Sequence, residues 1–340
     1  MLTSRDKLIL VTGATGFIGR NLVRELSARG TRVRCFVRAS SDCSALNGLG
    51  VEIAVGDLLD PPSILRALEG VSVVYHLAAT VRPSGSIYSK GGFGRLCFQT
   101  NVDGAMNLAR ACLAKKVERL VHYSSVASAG PGVNITEDWA SPPYSVYGRS
   151  KLDGERRILG LFKDFALPVS VIRPGMVYGP YSGPWAMLFR LVNLGFSMAI
   201  TGTEIRVPVC YVGNLTEASI AVCEKGRSGE VYFVSDESRS FTETVEMVAA
   251  ALGKKKKIRE IAVNKSLLRW GLRFKEAIER MIGLEIFPFR VNFDSEMLAA
   301  MPINWSCDIS KLIGLGYSRK FTAREGIALS VEWFRRNRSL

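Results

Sequence analysis

A glycine-rich stretch near the start of the 340-residue chain constrains its fold more than any other feature. An apolar run at 9–11 leads into three glycines spaced three apart, Gly13, Gly16 and Gly19, and an amphipathic segment follows them. This order predicts a strand, a tight turn and a helix. We expect Gly13 to adopt a positive φ, Gly16 to let a ligand approach the backbone, and Gly19 to let the helix pack against the strand. The helix N-terminus then presents unpaired N–H groups to a pyrophosphate.

The rest of the first half alternates short apolar segments with amphipathic ones. This alternation predicts an α/β fold with a doubly wound parallel sheet of the Rossmann type. Right-handed crossovers should place the first and fourth strands side by side, with a ligand crevice at their carboxyl ends. Strands are predicted over 32–37, 51–55, 73–77, 120–123 and 169–172, and helices over 63–68, 101–115 and 147–165.

The second half changes character and predicts a smaller C-terminal lobe that binds substrate. Its predicted elements are strands over 207–211 and 229–234 and helices over 242–252 and 266–282. We assign to the nucleotide-binding domain residues 1–175, with 205–236 returning to the sheet, and to the substrate lobe residues 176–204 and 237–340.

Composition is that of an ordinary globular protein, with 47% hydrophobic and 22% charged residues. No apolar run reaches the ~18–20 residues of a membrane-spanning helix. The first strand begins too early to leave room for a signal peptide, and the seven cysteines include no CxxC pair. We therefore expect a cytoplasmic protein with reduced cysteines and no metal site. His76 and His122 lie in predicted strands without partners at metal-ligand spacing, so we interpret them as strand residues.

The formal net charge of +14 admits three interpretations. It can favour solubility and an anionic cofactor, contact with an anionic membrane surface, or nucleic acid. The basic residues are scattered except for the run at 254–259, which follows a predicted helix end where cations suit the helix dipole. We favour a solvated turn, keep peripheral membrane contact open, and do not predict a nucleic-acid partner.

The end of the second predicted strand bears on the choice of cofactor. A carboxylate there would bind the ribose hydroxyls of NAD, but this chain has Arg38 and no acid. The Arg38 guanidinium suits a 2′-phosphate, and Arg20 and Ser40 are placed to assist. The alternative is an exposed arginine at a strand end. We favour NADP as the cofactor and keep NAD as the alternative.

A tyrosine and a lysine four residues apart, Tyr147 and Lys151, share one face of a predicted helix. An ammonium beside a phenol favours the phenolate and should lower the phenol pKa from ~10 toward working pH. Such a tyrosine can act as a general acid or base, although the pair alone is common on exposed helix faces. Ser124 and Ser125 follow the fifth strand at the sheet edge that also carries the glycine turn. We therefore expect the serine hydroxyl, the Tyr147–Lys151 pair and the cofactor to meet at this edge of the sheet.

With these residues in view, the chain resembles the extended and atypical short-chain dehydrogenase/reductase superfamily over nearly its whole length. The resemblance is to the NAD-dependent epimerase/dehydratase and 3β-hydroxysteroid-dehydrogenase-like branches. The matching segments, which occur in the order of the family, are 12–19, 56–58, 76–79, 101–104, 123–125, 147 with 151, and 173–180.

The resemblance implies a role for each matching residue. Tyr147 is expected as the catalytic acid/base. Lys151 is expected to bind the nicotinamide ribose and to tune Tyr147. Ser125 is expected to bond the reacting carbonyl or hydroxyl. Asn101 is expected near the site, or alternatively as the cap of its own helix. The expected cofactor-binding residues are Gly13, Thr15, Gly16, Phe17, Ile18, Gly19, Arg38, Asp57, Leu58, Ala78, Ala79, Tyr147, Lys151, Pro174 and Val177.

Departures from the family pattern narrow the chemistry. Sugar-nucleotide dehydratases usually carry a Thr-acid pair where this chain has Ser124-Ser125-Val126. Epimerases usually carry Asn after the sixth strand, where this chain has Arg173-Pro174-Gly175-Met176. Asn214 stands where the family commonly has Asp, with no predicted effect. We expect an NADP(H)-dependent oxidoreductase that interconverts a ketone and a secondary alcohol on a fairly apolar small molecule. The alternatives are an NAD-dependent sugar-nucleotide epimerase and a non-catalytic NADP-binding regulator.

Three further interpretations stay open. The apolar, Met-rich cluster at 185–198 is either ordinary core or an apolar substrate pocket. The basic, amphipathic segment 266–282 either lies on a membrane surface or closes the lobe with its apolar stripe. We favour closure, because Trp270, Phe274 and Ile278 fall at intervals of four. A homodimer through the helices 101–115 and 147–165 is the third.

Overall fold

A seven-stranded parallel sheet forms the centre of the computed structural model, which describes residues 2–81, 93–200, 205–254, 258–282, 304–337 and 340. The strand order is β10-β6-β5-β4-β1-β2-β3. The strands are β1 (Leu8–Thr12), β2 (Arg32–Val37), β3 (Glu52–Val55), β4 (Val71–His76), β5 (Arg119–Tyr123), β6 (Val169–Pro174), β7 (Met176–Tyr178), β8 (Phe196–Ile200), β9 (Arg206–Tyr211), β10 (Val231–Val234), β11 (Glu237–Ser240) and β12 (Arg259–Val263).

The predicted doubly wound Rossmann-type sheet is confirmed. Strand β1 pairs in parallel with β2 on one side and β4 on the other, so the first and fourth strands are neighbours as predicted. Every residue of β1 and β6 is buried, as expected for central parallel strands covered by helices on both faces. The chain reverses its winding direction between β1 and β4, which leaves a crevice at their carboxyl ends.

Helices cover both faces of this sheet. The helices of the described ranges are α1 (Phe17–Ala28), α2 (Pro61–Ala67), α3 (Phe93–Phe98), α4 (Ala105–Ala114), α5 (Val146–Phe165), α6 (Gly183–Asn193), α7 (Val212–Lys225), α8 (Phe241–Ala251), α9 (Lys265–Ile282), α10 (Ser310–Ile313) and α11 (Ala323–Arg336). Short 3-10 turns lie at Ser44–Leu46 and Val126–Ser128. Within the described residues, no helix combines the length and hydropathy that a membrane crossing requires.

One predicted helix boundary is wrong. The helix expected to start at Asn101 is already helical at Phe93, and α3 runs into α4 through a π turn at Gln99–Gly104. Asn101 lies inside this run, so it does not cap a helix. Its side-chain amide is bonded instead to residues outside the helix, which are described with the site below.

Two small sheets accompany the main one. Strands β11, β9 and β7 form the first, and β12 pairs in parallel with β8 to form the second. Of the segments expected to return to the main sheet, β10 joins it beside β6, whereas β9 pairs with β7 and β11. A separate core lies here, and Trp185, Phe189 and Val192 are buried in it against residues of α8 and α11. These three residues of the apolar cluster are ordinary core; the Met198 side chain lies outside the described residues.

The structure explains why an amide at position 214 suits this chain. Asn214 Nδ2 donates to Asp236 Oδ1 at 2.8 Å and to the Phe321 carbonyl at 2.8 Å. Asn214 Oδ1 accepts from the backbone N–H of Lys320 and of Phe321. A carboxylate at position 214 lacks the donor that Asp236 uses and would set two acids side by side.

Candidate active site

The glycine turn has the geometry that the sequence predicts for a nucleotide loop. Gly13 has φ +70°, and its carbonyl accepts a 3.0 Å hydrogen bond from the Gly16 N–H. A Cβ on Gly13 would lie 2.7 Å from the Ala78 backbone nitrogen, so only glycine lets this turn approach the end of β4 so closely. The turn therefore brings the carboxyl ends of β1 and β4 together.

The start of α1 lies directly after this turn. A Cβ on Gly19 would lie 2.1 Å from the Gly13 carbonyl oxygen, so the close packing at Gly19 is against the turn rather than the strand. Gly16 is the N-cap residue, and no side chain of the described residues caps the helix there. The first N–H groups of α1 have no intrahelical acceptor, and they lie at the positive end of the helix dipole, which favours an anion. These features fit a dinucleotide pyrophosphate.

Residues predicted to hold the adenosine end follow the next two strands. Arg38 is exposed just beyond β2, and Asp57 is exposed just beyond β3, with Oδ1 accepting a hydrogen bond from the Leu59 N–H at 2.8 Å. Leu58 is buried. The Arg20 side chain contacts two neighbouring groups. Its Nε donates to the Thr15 carbonyl at 2.7 Å, and its guanidinium lies 5.4 Å from the Tyr181 ring centroid.

Ser125 lies two residues beyond β5 and is the N-cap residue of the 3-10 turn at Val126–Ser128. Its Oγ accepts a hydrogen bond from the Ala127 N–H at 3.2 Å. The α5 helix approaches this turn closely, because a Cβ on Gly148 would lie 2.4 Å from the Ala127 carbonyl oxygen. The glycine beside Tyr147 therefore lets the tyrosine approach Ser125, whose hydroxyl is close enough to influence the pKa of the phenol.

The prediction that the pKa of Tyr147 is lowered is wrong. Burial raises the pKa of Tyr147 to about 12, although the nearby Ser125 hydroxyl acts to lower it. Burial also lowers the pKa of Lys151 to about 8, against the raising effect of the Glu155 charge. Both groups are pushed toward their neutral forms, since a site with little water disfavours either charge. The phenol therefore holds its proton at neutral pH in this structure.

Asn101 ties the exit of β4 to α5. Its Oδ1 accepts from the Thr80 N–H at 2.7 Å, and its Nδ2 donates to the Thr80 carbonyl at 3.1 Å and to Ser150 Oγ at 2.9 Å. The Ser150 hydroxyl donates in turn to the Tyr147 carbonyl at 2.8 Å. The amide thus holds the backbone of the helical turn that carries the tyrosine and the lysine.

Sequence reasoning missed the role of a buried ion pair behind this turn. The side chains of Glu155 and Arg173 are 2% and 7% exposed, and Arg173 Nε donates to Glu155 Oε2 at 3.0 Å. Ser128 Oγ donates to the Ser125 carbonyl at 2.7 Å and lies 3.4 Å from Glu155 Oε2. Glu155 is four residues after Lys151 on α5, and the YxxxKxxxE spacing is the signal that points to it.

The two histidines lie beneath the site in neighbouring strands, at paired positions of β4 and β5. Both are buried, and their ring centroids are 5.2 Å apart. His76 Nδ1 is 2.8 Å from Thr12 Oγ1, and burial together with the Lys151 charge lowers the pKa of His76 to about 3 and that of His122 well below its usual range. They pack as neutral strand residues. The described ranges hold no cluster of three His, Cys, Asp or Glu suited to a metal ion, and all seven cysteines are free thiols.

The predicted residues thus form two groups along one edge of the sheet. Ser125, Tyr147, Lys151 and Asn101 come together around the ends of β4 and β5. Ala78 and Ala79 follow β4, Pro174 ends β6 and Val177 lies in β7. Arg38, Asp57 and Leu58 lie beyond β2 and β3, on the far side of the glycine turn. Both groups therefore lie at the carboxyl edge of the parallel sheet, where open α/β sheets bind their ligands.

Comparison with known proteins finds relatives over almost the whole chain. The sequence profile described as the NAD dependent epimerase/dehydratase family matches residues 9–235. Sterol demethylase protein B of Methylococcus capsulatus is 32% identical over 337 residues, which cover 96% of this chain and 98% of the relative. The 3-beta-hydroxysteroid dehydrogenase of Mycolicibacterium neoaurum is 27% identical, with 96% of this chain and 91% of the relative covered.

Solved structures show the same architecture. The crystal structure of UDP-glucose 4-epimerase from Thermotoga maritima with UDP-glucose matches with a TM-score of 0.76, covering 97% of this chain and 99% of that chain. Its sequence identity is 21%, so the likeness concerns the fold and not the substrate.

Proposed function

We propose a specific activity for this chain, which belongs to the NAD-dependent epimerase/dehydratase family. The proposed activity is that of an NADP(H)-dependent oxidoreductase that acts on a ketone or a secondary alcohol. As a member it is an NAD(P)-dependent enzyme; the reaction and the preference for NADP are the proposal. One observation carries it. Tyr147 lies close to Ser125, one helical turn before the buried Lys151, at the sheet edge that holds the glycine turn.

The chain's own residues handle the proton. In the reducing direction the Tyr147 phenol donates its proton to the carbonyl oxygen, and the Ser125 hydroxyl bonds the same oxygen. The raised pKa of Tyr147 supports this order, because the proton is present at neutral pH. The Lys151 ammonium stabilises the phenolate that remains. A bound nicotinamide cofactor supplies or accepts the hydride at the carbonyl carbon.

The cofactor is assigned to the residues along the strand ends. The uncapped start of α1 would hold the pyrophosphate. Arg38, exposed beyond β2 where no acid replaces it, would meet a 2′-phosphate and supports NADP over NAD. The remaining assigned residues are Thr15, Phe17, Ile18, Asp57, Leu58, Ala78, Ala79, Pro174 and Val177.

The substrate class is proposed to be apolar and sterol- or steroid-like. Two relatives that span nearly the whole chain carry a sterol or a steroid in their names. The acid of sugar-nucleotide dehydratases is replaced by Val126, and the epimerase asparagine is absent from 173–176. We assign the binding of this substrate to the lobe formed by 176–204 and 237–340, and the homodimer stays a prediction.

Replacing Tyr147 by Phe tests the proposal. We expect kcat for NADPH-dependent reduction of a steroid ketone to fall about 10²–10⁴-fold, because the proton donor is lost. NADPH affinity should change less than about threefold, and NADPH should bind wild type more tightly than NADH does.

Two results would contradict the proposal. A Tyr147→Phe variant with near-normal kcat would exclude the tyrosine as proton donor. Wild-type protein that retains NAD through dialysis and converts a nucleotide sugar without net oxidation would be an epimerase instead.

A further inference from the structure

The α9 helix turns a stripe of large apolar side chains to the outside. Leu267, Trp270, Phe274 and Met281 are between 58% and 84% exposed. Their spacings of three, four and seven residues place them on one helical face. The Trp270 and Phe274 rings are stacked nearly parallel, with an interplanar angle of 8° and centroids 5.7 Å apart. The expectation that this stripe closes the lobe is therefore wrong for Trp270 and Phe274, because the described residues leave both rings exposed.

Further large apolar side chains are exposed in the segments next to α9 in the chain. Ile261 in β12 is exposed just before α9, and β12 pairs with β8. Phe196 at the start of β8 and Leu194 at the end of α6 are exposed as well. Patches of this kind on a folded protein mark interaction surfaces.

Charge distinguishes the kind of partner. Residues 254–282 contain ten Lys or Arg and three Glu, a net charge of +7, which is half the formal charge of the whole chain. By helical position, Arg273 borders one edge of the stripe and Lys275 borders the other. A basic border around Trp, Phe and Leu suits a lipid–water interface, where aromatic rings sit at headgroup level and basic side chains meet anionic headgroups. A nucleic-acid surface would not need the aliphatic members of this stripe.

We propose that α9 lies flat on an anionic phospholipid surface, with Leu267, Trp270, Phe274 and Met281 inserted among the acyl chains. The helix is too polar to cross the bilayer, so it binds parallel to it. The proposal does not depend on the catalytic assignment, because none of its residues belongs to the Ser125–Tyr147–Lys151 site.

Vesicle co-sedimentation of the full chain tests the proposal. Wild type should bind vesicles of phosphatidylcholine with 30% phosphatidylserine at least about tenfold more tightly than pure phosphatidylcholine, and binding should weaken as NaCl is raised. A Trp270→Ser/Phe274→Ser variant should lose at least about tenfold in binding to the anionic vesicles, because two inserted rings are removed.

Two variants serve as controls. Phe165→Ser removes an equally exposed phenylalanine at the end of α5 and should leave vesicle binding unchanged within about twofold. Trp270→Phe keeps an aromatic ring and should retain binding. Thermal unfolding of each variant checks that the fold is intact, and the Tyr147-dependent activity is measured separately.

Three outcomes would overturn the proposal. If the Trp270→Ser/Phe274→Ser variant binds anionic vesicles as tightly as wild type does, the stripe does not insert into the bilayer. If wild type forms a dimer and does not bind vesicles, and the double variant is a monomer, the partner of the stripe is a second copy of the chain. Tighter binding to RNA than to anionic vesicles, equally strong in the double variant, would assign the basic run to nucleic acid.

Discussion

The helices α5 and α9 have similar lengths, and both are amphipathic, yet they use their faces in opposite ways. In α5, Lys151 and Glu155 are buried against the sheet, at 2% and 1% exposure. In α9, Trp270 and Phe274 are mostly exposed. The comparison teaches that a periodic pattern establishes that a helix has two faces, whereas the neighbouring elements decide which face is covered.

The two helices also differ in what their unusual residues require. A buried charge needs a partner, and α5 meets that need with Arg173 on β6 and with the polar turn after β5. An exposed aromatic residue needs no partner for folding, so Trp270 and Phe274 on α9 are available for a contact outside the described residues. The same logic predicts large effects of substitution in the first region and small ones in the second.

The largest effect is expected at the buried ion pair. Glu155→Ala leaves the Arg173 guanidinium buried and without its carboxylate, which should lower the free energy of unfolding by about 3–5 kcal/mol. Urea unfolding of both proteins measures this. Glu155→Gln, which keeps the shape and one acceptor, is the matched control and should lose less. A loss below about 1 kcal/mol in Glu155→Ala would show that the pair does not stabilise the site.

The free energy of unfolding is expected to depend on pH through Asp236, a buried acid beside Asn214. Burial raises the pKa of Asp236 to about 6, above its ordinary value of 3.8. The folded state therefore keeps this proton where the unfolded state releases it, so the contribution to stability is full below about pH 4 and is lost as pH rises through 6. The loss amounts to about 3 kcal/mol.

Comparison of wild type with Asp236→Asn isolates this contribution. Denaturant unfolding is measured between pH 4 and 7, and wild type should weaken relative to the variant across that interval. Parallel stability curves would mean that Asp236 titrates alike in the folded and unfolded states.

The smallest effect is expected on the exposed stripe. Phe274→Ala should change the free energy of unfolding by no more than about 0.5 kcal/mol, as for other surface substitutions. Phe189→Ala is the matched control in the same lobe. Phe189 is fully buried and packs edge-on to Phe334, so its loss should reduce stability by about 3–5 kcal/mol. Losses of similar size in both variants would show that the stripe is packed against the protein.

The central sheet could be predicted well from the sequence, because local patterns and chain topology carry the same information there. The glycine spacing predicts the positive φ of Gly13. The alternation of strands and helices predicts that β1 and β4 are neighbours. Handedness then brings Ser125, Tyr147 and Lys151 to one edge without any knowledge of side-chain packing.

Features that depend on burial could not be predicted in this way. The charge of Lys151 suggests a lowered tyrosine pKa, but the surrounding side chains exclude water and raise it instead. Asn101 is a good helix-capping residue by type, yet its bonds to Thr80 and Ser150 come from segments distant in sequence. The stripe on α9 has the spacing of a core-facing helix, and spacing alone cannot tell core from lipid.

The π turn between α3 and α4 gives the site an unusual kind of sensitivity. Such a turn contains one residue more than an α-helical turn. Deleting one residue between Asn101 and α4 would shorten this turn and rotate Asn101 by about 100° relative to α4. The Asn101 amide would then point away from Thr80 and Ser150, although the side chain itself is intact. The geometry around the tyrosine is thus encoded in the length of one turn, and insertions or deletions there alter the site as effectively as substitutions.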